Sequence, residues 1–129
     1  MHVHLNDTTL FVDIDGAKLV ANGPAMRERP TLVLLHGGPG LDHSMFKPDF
    51  APLTEVAHLV YVDLRGNGRS AVGAPAAWNM AQWGDDVHAL CVALRIERPV
   101  VLGLSWGGLV ALAYATRHPG HAGRLILES

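Results

Sequence analysis

Apolar and polar positions change their period several times along the chain, and each change predicts an element. TLVLL at 31–35 follows the charged stretch Arg27-Glu28-Arg29 as a continuous apolar run, the pattern of a strand covered on both faces. HLVYV at 58–62 and VVLGL at 100–104 repeat that pattern, and RLILES at the end of the sequence reads as one more strand. From Asn79 the period becomes helical: Trp83, Val87, Leu90, Cys91 and Leu94 share a face, with Asp85 and Asp86 on the other side. Asn79 followed by Gln82 predicts a capping box at its start. Residues 106–118 are apolar nearly all round, as in a central helix, and His118-Pro119-Gly120 stops them.

Two further stretches are read from their turn chemistry. Residues 9–14 and 17–21 are β-capable runs on either side of Asp15-Gly16, which predicts an N-terminal hairpin. In SMFKPDFAPLTEVA, Pro48 and Pro52 each remove a backbone donor and restrict the preceding residue, so this segment holds only short or broken helix. Strands alternating with helices at these lengths predict right-handed crossovers and a three-layer α/β fold with a mostly parallel sheet.

Composition narrows the setting. A length of 129 residues at 49% hydrophobic suits one domain with a core, or part of one. Net charge is −2 and the basic residues are scattered, which argues against nucleic acid as a partner. Cys91 is the one cysteine, so no internal disulfide forms and a reducing compartment fits; in a helical apolar pattern it is a poor nucleophile. The N-terminus lacks a basic segment followed by an apolar one, and no run approaches about 18 apolar residues, so a cytoplasmic protein without a membrane span is expected.

Gly103-Leu104-Ser105-Trp106-Gly107 matches G-x-S-x-G between a predicted strand and a predicted helix, the context in which that motif holds a nucleophile. A tight turn there forces the serine into a strained backbone, and side chains at the glycine positions would collide. The other reading is a glycine-rich turn whose serine caps the helix. His36-Gly37-Gly38-Pro39-Gly40 ends the 31–35 strand; its glycines either aim N–H groups at a developing oxyanion or form a plain Gly-Pro turn. DLRGNGRS at 63–70 reads as a hydrogen-bonded loop in which Asp63 and Arg65 satisfy each other and nearby backbone.

These three motifs stand in the order found in α/β-hydrolases, and ALAYATRHPGHAGRLIL resembles the helix and strand that follow the nucleophile there. The chain resembles the N-terminal part of an α/β-hydrolase of the proline iminopeptidase type from about residue 30 to 129. The resemblance implies a three-layer α/β-hydrolase core, a single domain of which 1–129 is the N-terminal part, with C-terminal strands, helices and lid absent. It implies Ser105 as nucleophile and the N–H groups of Trp106 and Gly38 as oxyanion hole, with Gly37 as the alternative donor. Leu64 stands where such iminopeptidases commonly have glutamine, which weakens the peptidase assignment. A small-molecule or peptide substrate follows, and neither metal nor organic cofactor is required.

In that fold the acid and histidine come after the serine. The residues after Ser105 contain Glu128 as their one carboxylate side chain, with His118 and His121. Those histidines lie at the far end of the helix, about 18 Å away or more at 1.5 Å per residue, against the roughly 3 Å that proton transfer needs. His36 is read as loop scaffold and His2-x-His4 as a weak metal pair. His43, His58 and His88 are read as surface or satisfied polar positions, and Trp78 and Trp83 as core rather than cleft. The chain by itself is therefore expected to be inactive, with an open edge at its last strand inviting self-association or a complementing C-terminal chain. A small-ester or lactone hydrolase, and a non-catalytic binding module or one piece of a split protein, remain as alternatives.

Overall fold

The computed structural model describes residues 1–129. Its strands are β1 (His2–His4), β2 (Thr9–Asp15), β3 (Leu19–Asn22), β4 (Ala25–Glu28), β5 (Thr31–Leu35), β6 (His58–Val62), β7 (Val100–Leu104) and β8 (Arg124–Glu128). Its α-helices are α1 (Met80–Ala93) and α2 (Trp106–Arg117). Six strands form one sheet in the order β1-β2-β6-β5-β7-β8. β6, β5, β7 and β8 run parallel; β1 and β2 are antiparallel additions.

The continuous apolar runs become the inner strands because both of their faces are covered. Val33, Leu35, Val60, Val62 and Val101 point to one face, where α1 supplies Trp83, Val87, Leu90 and Cys91 and α2 supplies Val110, Ala111 and Tyr114. Each buried valine or leucine among them contributes about 1.5–3 kcal/mol. Leu32, Leu34, Leu59, Tyr61 and Leu102 point to the other face, against Phe46 and Ala57. That layer contains only the short 3-10 helices His43–Phe46 and Ala51–Glu55, as Pro48 and Pro52 require.

The predicted hairpin about Asp15-Gly16 does not form. Both edges of β2 are occupied, by β1 and by β6, so no edge is left for the following residues. β3 instead pairs with β4 across Gly23-Pro24, with Gly23 at φ +61° in the first turn position. Half of the capping box also differs. Asn79 accepts from the Gln82 N–H at 2.9 Å, but the Gln82 side chain turns to Asp86.

At the far edge, β8 pairs only with β7 and is largely exposed. Ile126 and Leu127 are 45% and 50% accessible there. No helix is long and apolar enough to cross a membrane.

Candidate active site

The sheet topology decides where a cleft opens. From β5 the chain moves outward to β6 through the 3-10 helices, then returns across β5 to β7 through α1 on the opposite face. Right-handed crossovers in opposite directions must use opposite faces, so the loops after β5 and β7 diverge, and the carboxyl ends of these neighbours form a crevice. Leu35 is aligned with Gly103, which sets HGGPG directly beside G-x-S-x-G. A cleft of 640 Å³ at this point is lined by Gly38, Ser105 and Trp106, with Leu109, Leu112 and Leu127 as its apolar wall.

Ser105 sits at φ +52°, ψ −117°, a backbone conformation that costs on the order of 1–3 kcal/mol for a residue with a side chain. The surroundings enforce it. A Cβ on Gly103 would overlap the Gly107 carbonyl, and one on Gly107 would overlap the carbonyls of Leu35 and His36. These glycines let α2 begin directly on the ends of β5 and β7. The Ser105 N–H donates to the Glu128 carbonyl at 2.6 Å, so β8 fixes the bend as well. Although Ser105 occupies the N-cap position, its side chain makes no capping hydrogen bond, and the residue is exposed to the cleft. The helix-capping alternative is therefore not what this hydroxyl does. Trp106 is the first residue of α2, so its N–H has no acceptor inside the helix.

The facing loop separates the two candidate donors. The Gly37 N–H is 3.1 Å from Met45 Sδ and is thereby engaged. The Gly38 N–H has no acceptor in the protein; Gly38 lines the cleft, and its φ of +125° suits glycine. A Cβ on Gly37 would lie 3.6 Å from that of Ser105, which shows how closely the loops approach.

His36 is fully buried and committed at both nitrogens: Nε2 accepts from the Leu64 N–H at 3.1 Å, and Nδ1 lies 2.6 Å from the Gly37 carbonyl. It is loop scaffold, as its sequence position predicts. Burial is the main cause that pushes its pKa below the ordinary 6.5, so the ring is neutral when folded. Unfolding then takes up a proton. This contribution to stability is full above about pH 6.5 and declines as pH falls below it. The His36 imidazole should stay unprotonated in an NMR titration at a pH where histidine in the unfolded chain is half charged; a normal titration would contradict this.

The 63–70 loop is a hydrogen-bonded network, but with different partners from those predicted. Asp63 and Arg65 do not satisfy each other. Asp63 Oδ1 accepts from the His43 N–H at 2.8 Å and lies 2.7 Å from His43 Nδ1, while Oδ2 accepts from the Arg69 N–H. Arg65 reaches the other way, to Asp86 on α1 and Asp7 before β2. Asp42, His43 and Asp63 lie close enough to hold a metal, yet both Asp63 oxygens serve the loop and Asp42 accepts from the Ser44 N–H. Leu64 is fully buried in the core and does not line the cleft.

The remaining positions fall in several places. Trp83 is core, donating from Nε1 to the Arg65 carbonyl. Trp78 is not core: it is 43% exposed and borders a groove with Pro39, Gly40 and Gly66. Cys91 is buried, and burial pushes its thiol up to about 12, out of nucleophilic range. None of the chain's eight histidines lines the Ser105 cleft. His118 and His121 lie at and beyond the far end of α2, where they meet His88.

Residues 30–129 match the α/β hydrolase fold family, and the chain belongs to that family. A proline iminopeptidase of Pestalotiopsis fici is 32% identical over 123 residues, which are 92% of this chain and 42% of that protein. A proline iminopeptidase of Lactobacillus helveticus is 35% identical over 106 residues, 79% of this chain and 36% of its own length. Among solved structures, a proline iminopeptidase-related protein from Thermus thermophilus superimposes with a TM-score of 0.83 at 30% identity, covering 98% of this chain and 42% of the other. An enol-lactonase from Burkholderia xenovorans gives 0.82 at 30% identity, covering 97% and 45%. The chain thus spans about two fifths of the length of these relatives.

Proposed function

We propose that the protein is a serine hydrolase acting on an acyl bond, with Ser105 as nucleophile and the N–H groups of Gly38 and Trp106 as oxyanion hole. The observation that carries this reading is the strained, exposed Ser105 at φ +52°, its side chain uncapped, in one cleft with an uncommitted Gly38 N–H. The hydroxyl adds to a carbonyl carbon, its proton passes to a base, and the charge that forms on the carbonyl oxygen is met by the two amides. The dipole at the N-terminus of α2 adds to that stabilisation. The base and its acid are assigned to chain outside residues 1–129, because no imidazole in these residues stands in the cleft. The 129 residues alone are expected to turn over little or no substrate, and the exposed β8 edge is where the complementing part would pair.

Likeness to proline iminopeptidases favours release of an N-terminal residue from a peptide. Likeness to the enol-lactonase supports a second reading, cleavage of a small ester or lactone. Rates of the full-length protein on an N-terminal proline amide, a short acyl ester and a lactone rank the two. A fluorophosphonate probe should label Ser105 in the folded full-length protein, and absence of label there would remove the nucleophile assignment.

A further inference from the structure

Between β5 and the Gly38 N–H stands Gly37, whose backbone angles no side chain restrains. The direction of the Gly38 N–H therefore depends on what holds the two peptide planes that meet at Gly37. Each plane has one tether. The plane joining Gly37 to Gly38 carries the Gly37 carbonyl, 2.6 Å from His36 Nδ1. Because His36 Nε2 accepts from the Leu64 N–H, the proton of the neutral ring sits on Nδ1 and is donated to that carbonyl. This peptide is trans, so its N–H points opposite to its carbonyl, away from His36.

The plane joining His36 to Gly37 carries the Gly37 N–H, and Met45 Sδ is its acceptor at 3.1 Å. Met45 is delivered by anchors on both sides of it. In the 3-10 helix His43–Phe46, the His43 N–H and ring bond Asp63, while Phe46 is buried against the sheet. Met45 itself is exposed, so burial is not what places it. A Cβ on Gly37 would lie 3.5 Å from Met45 Cε and 3.6 Å from Ser105 Cβ, which sets the thioether at the rim of the reaction site.

We infer that Met45 is a positioning residue of the oxyanion hole: its Sδ holds the Gly37 N–H out of the cleft, so that the next N–H, that of Gly38, meets the charge forming on the carbonyl oxygen. The inference rests on the roles given to Ser105 and Gly38 in the proposed hydrolysis. A thioether suits this task because it accepts a hydrogen bond while bringing no negative charge beside the developing oxyanion. Without the sulfur the plane before Gly37 has no side-chain tether, Gly37 turns, and the Gly38 N–H leaves the range of about 2.7–3.1 Å in which it is effective. Loss of one such donor lowers kcat by about 10²–10³, and a misdirected donor should lower it by less, about tenfold. KM should stay within about twofold, because the charge that the donor meets is present in the transition state and not in the bound substrate.

The test uses two variants of the full-length protein. Met45→Leu keeps the volume and removes the acceptor, a swap that an exposed position tolerates. Met45→Gln returns an acceptor, the amide oxygen, at similar reach. Labelling of Ser105 by a fluorophosphonate, whose phosphoryl oxygen takes the place of the oxyanion, should be about tenfold slower in Met45→Leu, with an equal fall in kcat, little change in KM and a similar thermal midpoint. Met45→Gln should recover most of both rates. In the parent the Gly37 amide should exchange its hydrogen at least about tenfold more slowly than in Met45→Leu, as read by NMR. Labelling and kcat of Met45→Leu within twofold of the parent would overturn the inference, and so would Met45→Gln as impaired as Met45→Leu, which would assign the effect to packing. Equal exchange at Gly37 in parent and Met45→Leu would remove the tether whatever the kinetics. Failure of the Ser105 assignment is a separate result, a folded parent that takes no label.

Discussion

Ser105→Ala in the full-length protein is expected to lower kcat by about 10⁶ while leaving the fold intact. The size follows from the proposed chemistry: without the hydroxyl there is no covalent acyl intermediate, and what remains is oxyanion stabilisation and binding. KM should change far less, because the serine Oγ is a small part of a cleft walled by Leu109, Leu112 and Leu127. Stability should be unchanged or slightly altered, since the Ser105 side chain makes no hydrogen bond and alanine inherits the same positive φ. Steady-state kinetics on the best ester or amide, with a denaturation curve on the same sample, checks both halves. A drop of tenfold or less in kcat would mean that another group performs the attack.

The second large effect concerns folding. Asp86→Ala is expected to destabilise the protein by about 3–5 kcal/mol, because it removes the buried partner of a buried guanidinium. Arg65 is 1% exposed and Asp86 2% exposed, with Arg65 Nε and Nη2 each 2.7 Å from a carboxylate oxygen. Asp7 holds the other side of the guanidinium at 2.8 and 3.0 Å, but its side chain is 60% accessible and hydrated in either state. Asp7→Ala should accordingly cost about 1 kcal/mol or less. Urea unfolding of both variants measures the contrast, and equal losses would show that the inner pair contributes no more than a surface one. The Arg65–Asp86 pair also anchors the 63–70 loop to α1, and Asn67 in that loop accepts from the Gly40 N–H at 2.6 Å. Activity should therefore fall in Asp86→Ala even under conditions where the protein remains folded.

Local chemistry made several elements legible. A five-residue apolar run between turn signals specifies an extended segment buried on both sides, and β5, β6 and β7 follow at the predicted boundaries. The helix over 106–118 differs by one residue, with His118 closing it. Steric demands of the G-x-S-x-G turn are also local, and Gly103 and Gly107 meet the backbone atoms that such a turn implies. Periodicity identifies which residues are extended, but not which edge they pair with. Turn chemistry at Asp15-Gly16 therefore predicts a hairpin of 9–14 with 17–21, although β6, more than forty residues on, occupies that edge. Likewise, Asp63 and Arg65 are neighbours in the loop, yet their partners come from His43, Asp86 and Asp7, chosen by the packing of other elements.

What the sequence by itself determined is the set of buried strands, the helices between them, and a serine on a turn that tolerates only glycine at its flanks. Those features depend on contacts within a few residues or on a face that must leave water. The tertiary structure alone decided that Gly38 rather than Gly37 keeps a free N–H, because Met45 Sδ takes the other, and that Leu64 faces the core. It also brought His88 against His118 and His121 across a helix–helix contact. Each of these is a meeting of distant segments, fixed by how whole elements pack, and no periodicity along the chain encodes it.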